Sequence, residues 1–180
     1  DDAARGVERV AKIVQDLREF SHVDKPNEQI FNLNSCLKTT LTIVWHELKY
    51  KASVKTDYGP IPDITGHPMQ LNQVFVNLLV NAAQAIGDKG RITIKTEWAK
   101  SQRRIGGKKV KITISDDGSG IPKDKLNRIF DPFYTTKSVK TGTGLGLSIS
   151  YDIIKAHGGR ISVKSESEEG THFTIILPLE

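Results

Sequence analysis

The segment from Pro68 to Gly87 constrains the fold most, because it predicts a helix that is apolar around most of its circumference. Pro68 suits the first turn of a helix, where its missing N–H costs little, and Gly87 is typical of a helix end. At about 100° per residue, four polar side chains share a sector of about 80°. They are Gln73, Asn77, Asn81 and Gln84. The sequence therefore predicts a largely buried helix with one stripe of side-chain amides.

This amide stripe needs partners, because burying an uncompensated amide costs about 1–3 kcal/mol on protein scales. In one interpretation, the amides bond to neighbouring backbone or line an exposed edge of the helix. In the other, their oxygens hold a magnesium ion that keeps most of its waters and bridges substrate phosphates. The stripe alone is compatible with both.

The rest of the chain predicts an α+β fold. Helical spacing of apolar residues extends from Leu33 to about Tyr50 and from about Leu145 to His157. Strands are predicted, mostly from alternation of apolar and polar residues, over 52–57, 92–98, 110–114, 161–163 and 173–177. Because these elements are segregated along the chain, we expect the helices to cover one face of a largely antiparallel sheet.

Residues 1–25 predict a helix that precedes this fold. Apolar residues from Val7 to Leu17 recur at steps of three and four, and Pro26 lies in a polar stretch that indicates a boundary. Two heptads are fewer than a coiled coil needs. The helix is therefore part of a truncated helical bundle, which we favour, or packs on its own domain. We predict two domains, 1–25 and 26–180.

Composition narrows the class of protein. Hydrophobic residues make up 37% of the chain, and no apolar run approaches the roughly 18 residues of a membrane span. The N-terminal residues lack the apolar stretch of a signal peptide, so we expect a cytoplasmic segment and leave open whether a longer parent is membrane-anchored. A single cysteine, Cys36, excludes an internal disulfide and a multi-cysteine metal site.

The net charge of +5 raises the question of nucleic acid. Lysines and arginines cluster between Lys95 and Lys111, around a predicted hairpin tip at Gly106-Gly107, with little aromatic interleaving beyond Trp98. A solvated hairpin explains them, since surface lysine and arginine need no ligand. We predict no nucleic-acid partner and keep nucleic-acid binding as a minor alternative.

A first glycine motif, from Asp116 to Gly120, directly follows a predicted strand. A carboxylate at a strand end can accept a hydrogen bond from an exocyclic amine, and the glycines let the backbone turn sharply beside a flat ring. The same composition is common in plain turns. Paired carboxylates also occur in acid/base hydrolysis and in calcium loops, although the further calcium ligands are missing at the expected spacing.

A second glycine motif, from Gly142 to Leu147, precedes a predicted helix, whose N-terminal N–H groups can bind an anion. It lacks the third spaced glycine and the preceding parallel strand of a dinucleotide fold, and the Lys-Ser/Thr ending of a P-loop. Between the two motifs, a segment of about twenty residues around Phe130–Lys137 shows no clear periodicity, which is typical of a functional lid.

Taken in order, the amide helix, Asp-x-Gly-x-Gly, Phe-x-Pro-Phe and Gly-x-Gly-x-Gly resemble the catalytic and ATP-binding domain of sensor histidine kinases, within the GHKL superfamily. The resemblance covers about residues 28–180. Gln84 and the Phe-Tyr-Thr-Thr-Lys run are most similar to the nitrogen-regulation subgroup. The resemblance implies a two-layer α/β sandwich of the Bergerat type, with a mixed sheet packed on three helices and a helix before it.

The resemblance also implies roles for individual residues. Asn81 would ligate Mg²⁺, while Asn77, beside the phosphates, and Lys137, near the γ-phosphate, would be catalytic. Asp116 would accept the adenine amine, helped by Thr171. The other residues implied in nucleotide binding are Gly118, Gly120, Ile121, Phe133, Gly142, Thr143, Gly144, Leu145, Gly146 and Leu147.

The implied activity is transfer of the γ-phosphoryl group of ATP to a histidine, and then onward to a response-regulator receiver domain. Residues 1–25 resemble the end of the dimerisation and phosphotransfer domain, so we expect the acceptor histidine in an absent upstream helix. The intact kinase would be a homodimer, and this fragment weakly associated or monomeric. Two alternatives are a hydrolysing GHKL ATPase, which would carry a glutamate base where Asn77 stands, and an inactive regulator-binding scaffold.

Overall fold

The computed structural model describes residues 28–99, 108–136 and 142–179. Three predictions lie outside these residues: the helix over 1–25, the hairpin tip at Gly106-Gly107 and the position of Lys137. The division into two domains therefore stays a prediction.

A mixed five-stranded sheet forms one layer of the fold. Its strand order is β2-β4-β5-β7-β6, with β2 and β4 parallel and the other three pairings antiparallel. A separate ribbon pairs β1 with β3. The strands are β1 (Gln29–Phe31), β2 (Ala52–Tyr58), β3 (Ile64–Gly66), β4 (Gly90–Ala99), β5 (Lys109–Asp116), β6 (Arg160–Glu166) and β7 (Gly170–Pro178).

Three helices in the described residues form the second layer. They are α1 (Leu33–Leu48), α2 (Pro68–Ala85) and α3 (Gly146–Ala156). The predicted amide helix is α2, which packs against both other helices and against β5 and β7. Its buried residues include Phe75, Leu78 and Leu79, at most 1% exposed. The predicted two-layer arrangement is confirmed.

Polar and apolar contacts join α2 to its neighbours. Asn72 accepts hydrogen bonds from the Thr40 hydroxyl at 2.8 Å and the Cys36 thiol at 2.9 Å, both on α1. On the sheet, Ile92, Val110 and other alternating residues face the helices and are fully buried. None of the described helices combines the length and the sustained hydropathy that crossing a membrane requires.

Two local features differ from the sequence prediction. The helix expected to end at Gly87 ends at Ala85, and its C-cap Ile86 is extended with ψ of 134°. The region of Pro60 and Pro62 indicates only a turn, yet β3, the second strand of the β1–β3 ribbon, begins soon after it at Ile64. Each ribbon strand has three residues, too few for alternation to be recognised.

Candidate functional site

Helix α2 contacts both glycine motifs. The side-chain nitrogen Nδ2 of Asn77 lies 3.1 Å from the carbonyl oxygen of Gly146, at the start of α3. Two turns further along, the carbonyl oxygen of Ala85 accepts the N–H of Ser119 at 3.0 Å. Asn81 lies between them, about 6 Å along the axis from each. The helix therefore connects the two motifs, with an amide midway.

The contact at Gly146 determines how the Asn77 amide is turned. A carbonyl oxygen only accepts, so the Asn77 group facing it must be the NH₂, which also lies 3.4 Å from the Ser150 hydroxyl oxygen. The interpretation in which stripe amides bond to nearby backbone is therefore correct for the Asn77 nitrogen. Its oxygen keeps its acceptor capacity.

The two carboxylates of the first glycine motif have different surroundings. Asp116, at the end of β5, is 7% exposed and accepts the N–H of Gly118 at 3.0 Å. Asp117 is exposed and accepts the backbone N–H of Arg91 at 2.6 Å, which joins the loop to β4. The pair therefore does not form the joint site that acid/base hydrolysis would need.

The environment of Asp116 perturbs its protonation. Burial raises the pKa of the carboxyl above its usual value, and hydrogen bonds from the backbone of Gly118 and Thr171 partly oppose the rise. Thr171 faces Asp116 directly across the β5–β7 pairing. A buried carboxylate with a raised pKa is a typical binding or catalytic group.

Ser165 on β6 extends this row of polar side chains and was not predicted. It is 8% exposed, is the cross-strand partner of Thr171, and its hydroxyl oxygen lies 3.1 Å from that of Thr171. The signal was present in the sequence. Ser165 continues the alternation of Ile161 and Val163, so a polar residue occupies a helix-facing position.

The glycines of the first motif are required by protein packing. A Cβ on Gly118 would lie 2.6 Å from the backbone of Ala85. Gly120 has a φ of +68°, and a Cβ there would overlap the carbonyl oxygen of Glu166. The sequence prediction that both glycines admit a ring stays a prediction, because these contacts alone account for them.

The second glycine motif leads into the N-terminus of α3. Within the described residues, the N-cap Leu145 makes no side-chain cap bond and the first turn contains no acidic residue, although the Leu145 N–H itself donates to the Thr143 hydroxyl oxygen at 3.4 Å. Its N–H groups are therefore available to an anion. Gly142, Thr143 and Gly144 are half-buried, whereas Leu145 is buried and Leu147 packs against the core.

The described part of the predicted lid contains only a 3₁₀ turn, Leu126–Arg128. Phe130 packs against Tyr151 of α3, with ring centroids 5.5 Å apart, and anchors this segment. Phe133 is 63% exposed, and its backbone contacts Gly144. The predicted nucleotide contact of Ile121, half-buried after the first motif, stays a prediction.

Elsewhere in the described chain, neither grouped metal ligands nor the depression beside α1 indicates a second charged site. Over residues 28–99, 108–136 and 142–179, no three His, Cys, Asp or Glu side chains are grouped to hold a metal ion. A depression between α1 and β2 is lined by apolar and hydroxyl side chains without a titratable group. These are Leu41, Thr42, Trp45, Val54 and Thr56.

Comparison with known proteins identifies the domain. A family model described as "Histidine kinase-, DNA gyrase B-, and HSP90-like ATPase" matches residues 66–180. Sensor histidine kinase ZraS of Escherichia coli (strain K12) is 34% identical over 178 residues, which are 98% of this chain and 36% of ZraS. The chain thus spans about a third of this curated relative's length.

Solved structures give the same assignment. The catalytic domain of histidine kinase ThkA, in a nucleotide-free form, has a TM-score of 0.73 and 29% identity, covering 86% of this chain and 99% of that one. ThkA in complex with response regulator protein TrrA has a TM-score of 0.73 and 25% identity, covering 97% of this chain and 49% of that one.

Proposed function

Because this chain belongs to the histidine kinase-, DNA gyrase B- and HSP90-like ATPase family, we propose that it is the ATP-binding catalytic domain of a sensor histidine kinase. The observation that carries the proposal is the course of α2, which contacts one glycine motif through Asn77 and the other through Ala85. One helix thereby supports a base-binding end and a phosphate-binding end.

At the base end, Asp116 accepts the exocyclic amine of adenine, beside Thr171. The carboxylate is buried, so a hydrogen bond to it is stronger than in water. Ile121 and the backbone of Gly118 and Gly120 line this end of the site. Each of these roles is a proposal.

At the phosphate end, the N-terminus of α3 binds the phosphates. Its unpaired N–H groups and positive dipole end favour an anion. The backbone from Gly142 to Leu147 supplies these donors, and Phe133 closes over them from the lid segment. Lys137, outside the described residues, neutralises charge on the γ-phosphate.

The amide stripe fits a hydrated Mg²⁺. Amide oxygens are hard ligands of the kind this ion accepts, and it keeps several waters when it also binds phosphates. The side-chain nitrogen of Asn77 donates a hydrogen bond to the carbonyl oxygen of Gly146, which leaves the side-chain oxygen of Asn77 as an acceptor. Asn81 lies one helical turn later. Asn81 would hold the ion, which would offset charge on the phosphates.

The reaction transfers the γ-phosphoryl group from ATP to a histidine outside the described residues. The bond between the γ-phosphorus and the β–γ bridging oxygen breaks, and a bond from phosphorus to a ring nitrogen forms. A neutral imidazole nitrogen attacks with its own lone pair, ADP leaves with the electron pair of the broken bond, and the proton on the other ring nitrogen passes to solvent. This domain therefore supplies positioning and charge neutralisation. An amide at Asn77 suits this transfer, because it cannot deprotonate water as a hydrolytic glutamate does.

The partners follow from the same assignment. ThkA has been solved with the response regulator TrrA, which supports a receiver domain as the onward phosphate acceptor here. We also propose that the intact protein is a homodimer and that residues 1–25 end its dimerisation and phosphotransfer domain.

Isothermal titration calorimetry with ADP and ATP, with and without Mg²⁺, tests this function. We expect sub-millimolar binding that Mg²⁺ strengthens. Asn81→Ala should remove most of the Mg²⁺ effect and keep binding of the metal-free nucleotide. Gln70→Ala, a change of the same kind on the first turn of α2, is the matched control. Absence of nucleotide binding, or fast continuous ATP hydrolysis, would contradict the proposal.

A further inference from the structure

Three buried polar side chains form a row across the sheet at the proposed base end. Asp116 on β5 is the cross-strand partner of Thr171 on β7, which is also the partner of Ser165 on β6. All three are less than 9% exposed. Directly opposed residues on one face of an antiparallel pair have Cβ atoms about 5 Å apart, so the three side chains are neighbours.

The hydrogen bonds of Ser165 determine where its proton lies. A serine hydroxyl has one proton and two lone pairs. Its oxygen is 2.6 Å from the carbonyl oxygen of Gly170, which can only accept, so the Ser165 proton is donated there. The backbone N–H of Ile121 donates to the same hydroxyl oxygen at 2.8 Å and uses one lone pair. One lone pair remains.

The remaining lone pair determines the role of Thr171. The hydroxyl oxygens of Ser165 and Thr171 are 3.1 Å apart, and the only proton left for this contact belongs to Thr171. Thr171 is therefore the donor to Ser165. Having used its single proton, the Thr171 hydroxyl can only accept from a third group. When Asp116 beside it is ionised, its carboxylate also only accepts, so this end of the site then presents acceptors.

We propose that Ser165 is a specificity-determining positioning residue: by accepting the Thr171 proton, it makes the base end select a purine whose 6-substituent donates N–H groups. This inference rests on the proposed function. The 6-amino group of adenine offers two N–H donors at this edge. Hypoxanthine carries a carbonyl oxygen there, whose lone pairs would face the acceptors Asp116 and Thr171.

The test compares the affinities of ATP and inosine triphosphate by calorimetry. In Ser165→Ala, the Thr171 proton is released and can be donated to the 6-oxo group. We expect the ratio of ATP to inosine triphosphate affinity to narrow about three- to tenfold, the effect of one neutral hydrogen bond. Ser162→Ala is the matched control, since Ser162 lies exposed on the same strand and bonds to the carbonyl of Thr174. Its ratio should not change.

Two further variants test whether Thr171 acts as an acceptor toward the base. Ser165→Thr retains a hydroxyl and should keep the original ratio. Thr171→Val removes the acceptor and should weaken ATP more than inosine triphosphate. If Thr171 instead donates to a 6-oxo group, this variant would weaken inosine triphosphate more than ATP, which would widen the ratio and overturn the inference. These two variants decide the matter if Ser165→Ala does not fold, as judged by circular dichroism.

The outcomes separate this inference from the proposed function. An equal loss of affinity for both nucleotides in Ser165→Ala would show a merely structural role and reject the inference alone. No binding of either nucleotide by the unsubstituted chain would reject the proposed function and the inference with it.

Discussion

At Asp116, burial and ligand binding act in opposite directions. Burial raises the pKa of this carboxyl, so the fold favours its neutral form. Its contribution to stability is therefore greatest below the pKa of an unfolded aspartate, and it is lost as the pH rises through the folded pKa. Above its folded pKa, Asp116 places a buried charge in the unliganded chain at a cost in stability, and the proposed adenine contact requires that charge.

Asp116→Asn should separate these two effects. Asparagine keeps an oxygen for the Gly118 N–H and removes the charge. We expect the urea midpoint at pH 7 to be equal or higher, while ATP affinity falls about 10- to 100-fold with the loss of a charged hydrogen bond. The ATP affinity of the unsubstituted chain should also fall when the pH is lowered through the raised pKa of Asp116. Asp117→Asn is the control, and parallel loss of stability and affinity would contradict this account.

At the scale of elements, the first glycine motif is held against the last turn of α2. We expect Gly118→Ala to destabilise the chain by about 1–3 kcal/mol, because its Cβ would lie 2.6 Å from the Ala85 backbone. Gly87→Ala is the matched control: no atom lies within 4 Å of the added Cβ, and the change should stay within about 0.5 kcal/mol. Urea unfolding measures both, and similar midpoints for the two variants would refute the packing argument.

His157 joins the end of α3 to the start of α2. Its Nδ1 lies 2.8 Å from the carbonyl of Ile153, and its Nε2 accepts the N–H of His67 at 3.1 Å, so the ring is neutral. Burial lowers the pKa of His157, with a smaller lowering from His67; the hydrogen bond to Ile153 and the charge of Glu28 oppose it. Protonation would replace the acceptor at Nε2 with a second donor facing an N–H.

This contact predicts acid sensitivity. Because the folded pKa of His157 is depressed, its stability contribution is complete above about pH 6.5 and is lost as pH falls toward the folded value. Urea midpoints measured between about pH 5 and 8 should fall on the acid side. His157→Gln, which carries no titrating group, should flatten this dependence, whereas the exposed-site control His46→Gln should not. If the urea midpoint of His157→Gln depends on pH as steeply as that of the unsubstituted chain, the contact between His157 and His67 is not the cause of the acid sensitivity.

At the scale of the whole molecule, we expect association to depend on residues 1–25, which lie outside the described residues. The sequence predicts a single helix there, and one helix would bury too little apolar surface for a stable four-helix core. We expect sedimentation velocity to show a monomer or weak association at micromolar concentration. A tight dimer would mean that the described domain or residues 1–25 form an interface of their own.

Periodic elements could be predicted from the sequence, and short or tertiary features could not. The α2 helix and the β4–β5 ribbon have enough residues for their periods to be clear. The β1–β3 ribbon has three residues per strand, and its pairing depends on distant neighbours. Motif order predicted the site residues. Alternation along β6 marks Ser165 as inward-facing, but its contact with Thr171 requires knowledge of which strands are adjacent. Likewise, the Gly118 requirement arises from Ala85, which is distant in sequence.

The course of α2 has a consequence for ligand length. Its contacts to the two glycine motifs are eight residues apart, a distance of about 12 Å that the helical rise determines. Rearrangement of a loop cannot lengthen or shorten this distance. Nucleotides with an extra or a missing phosphate should therefore place their base and first phosphates at the same positions. The added or missing phosphate should change only the contacts beyond the start of α3.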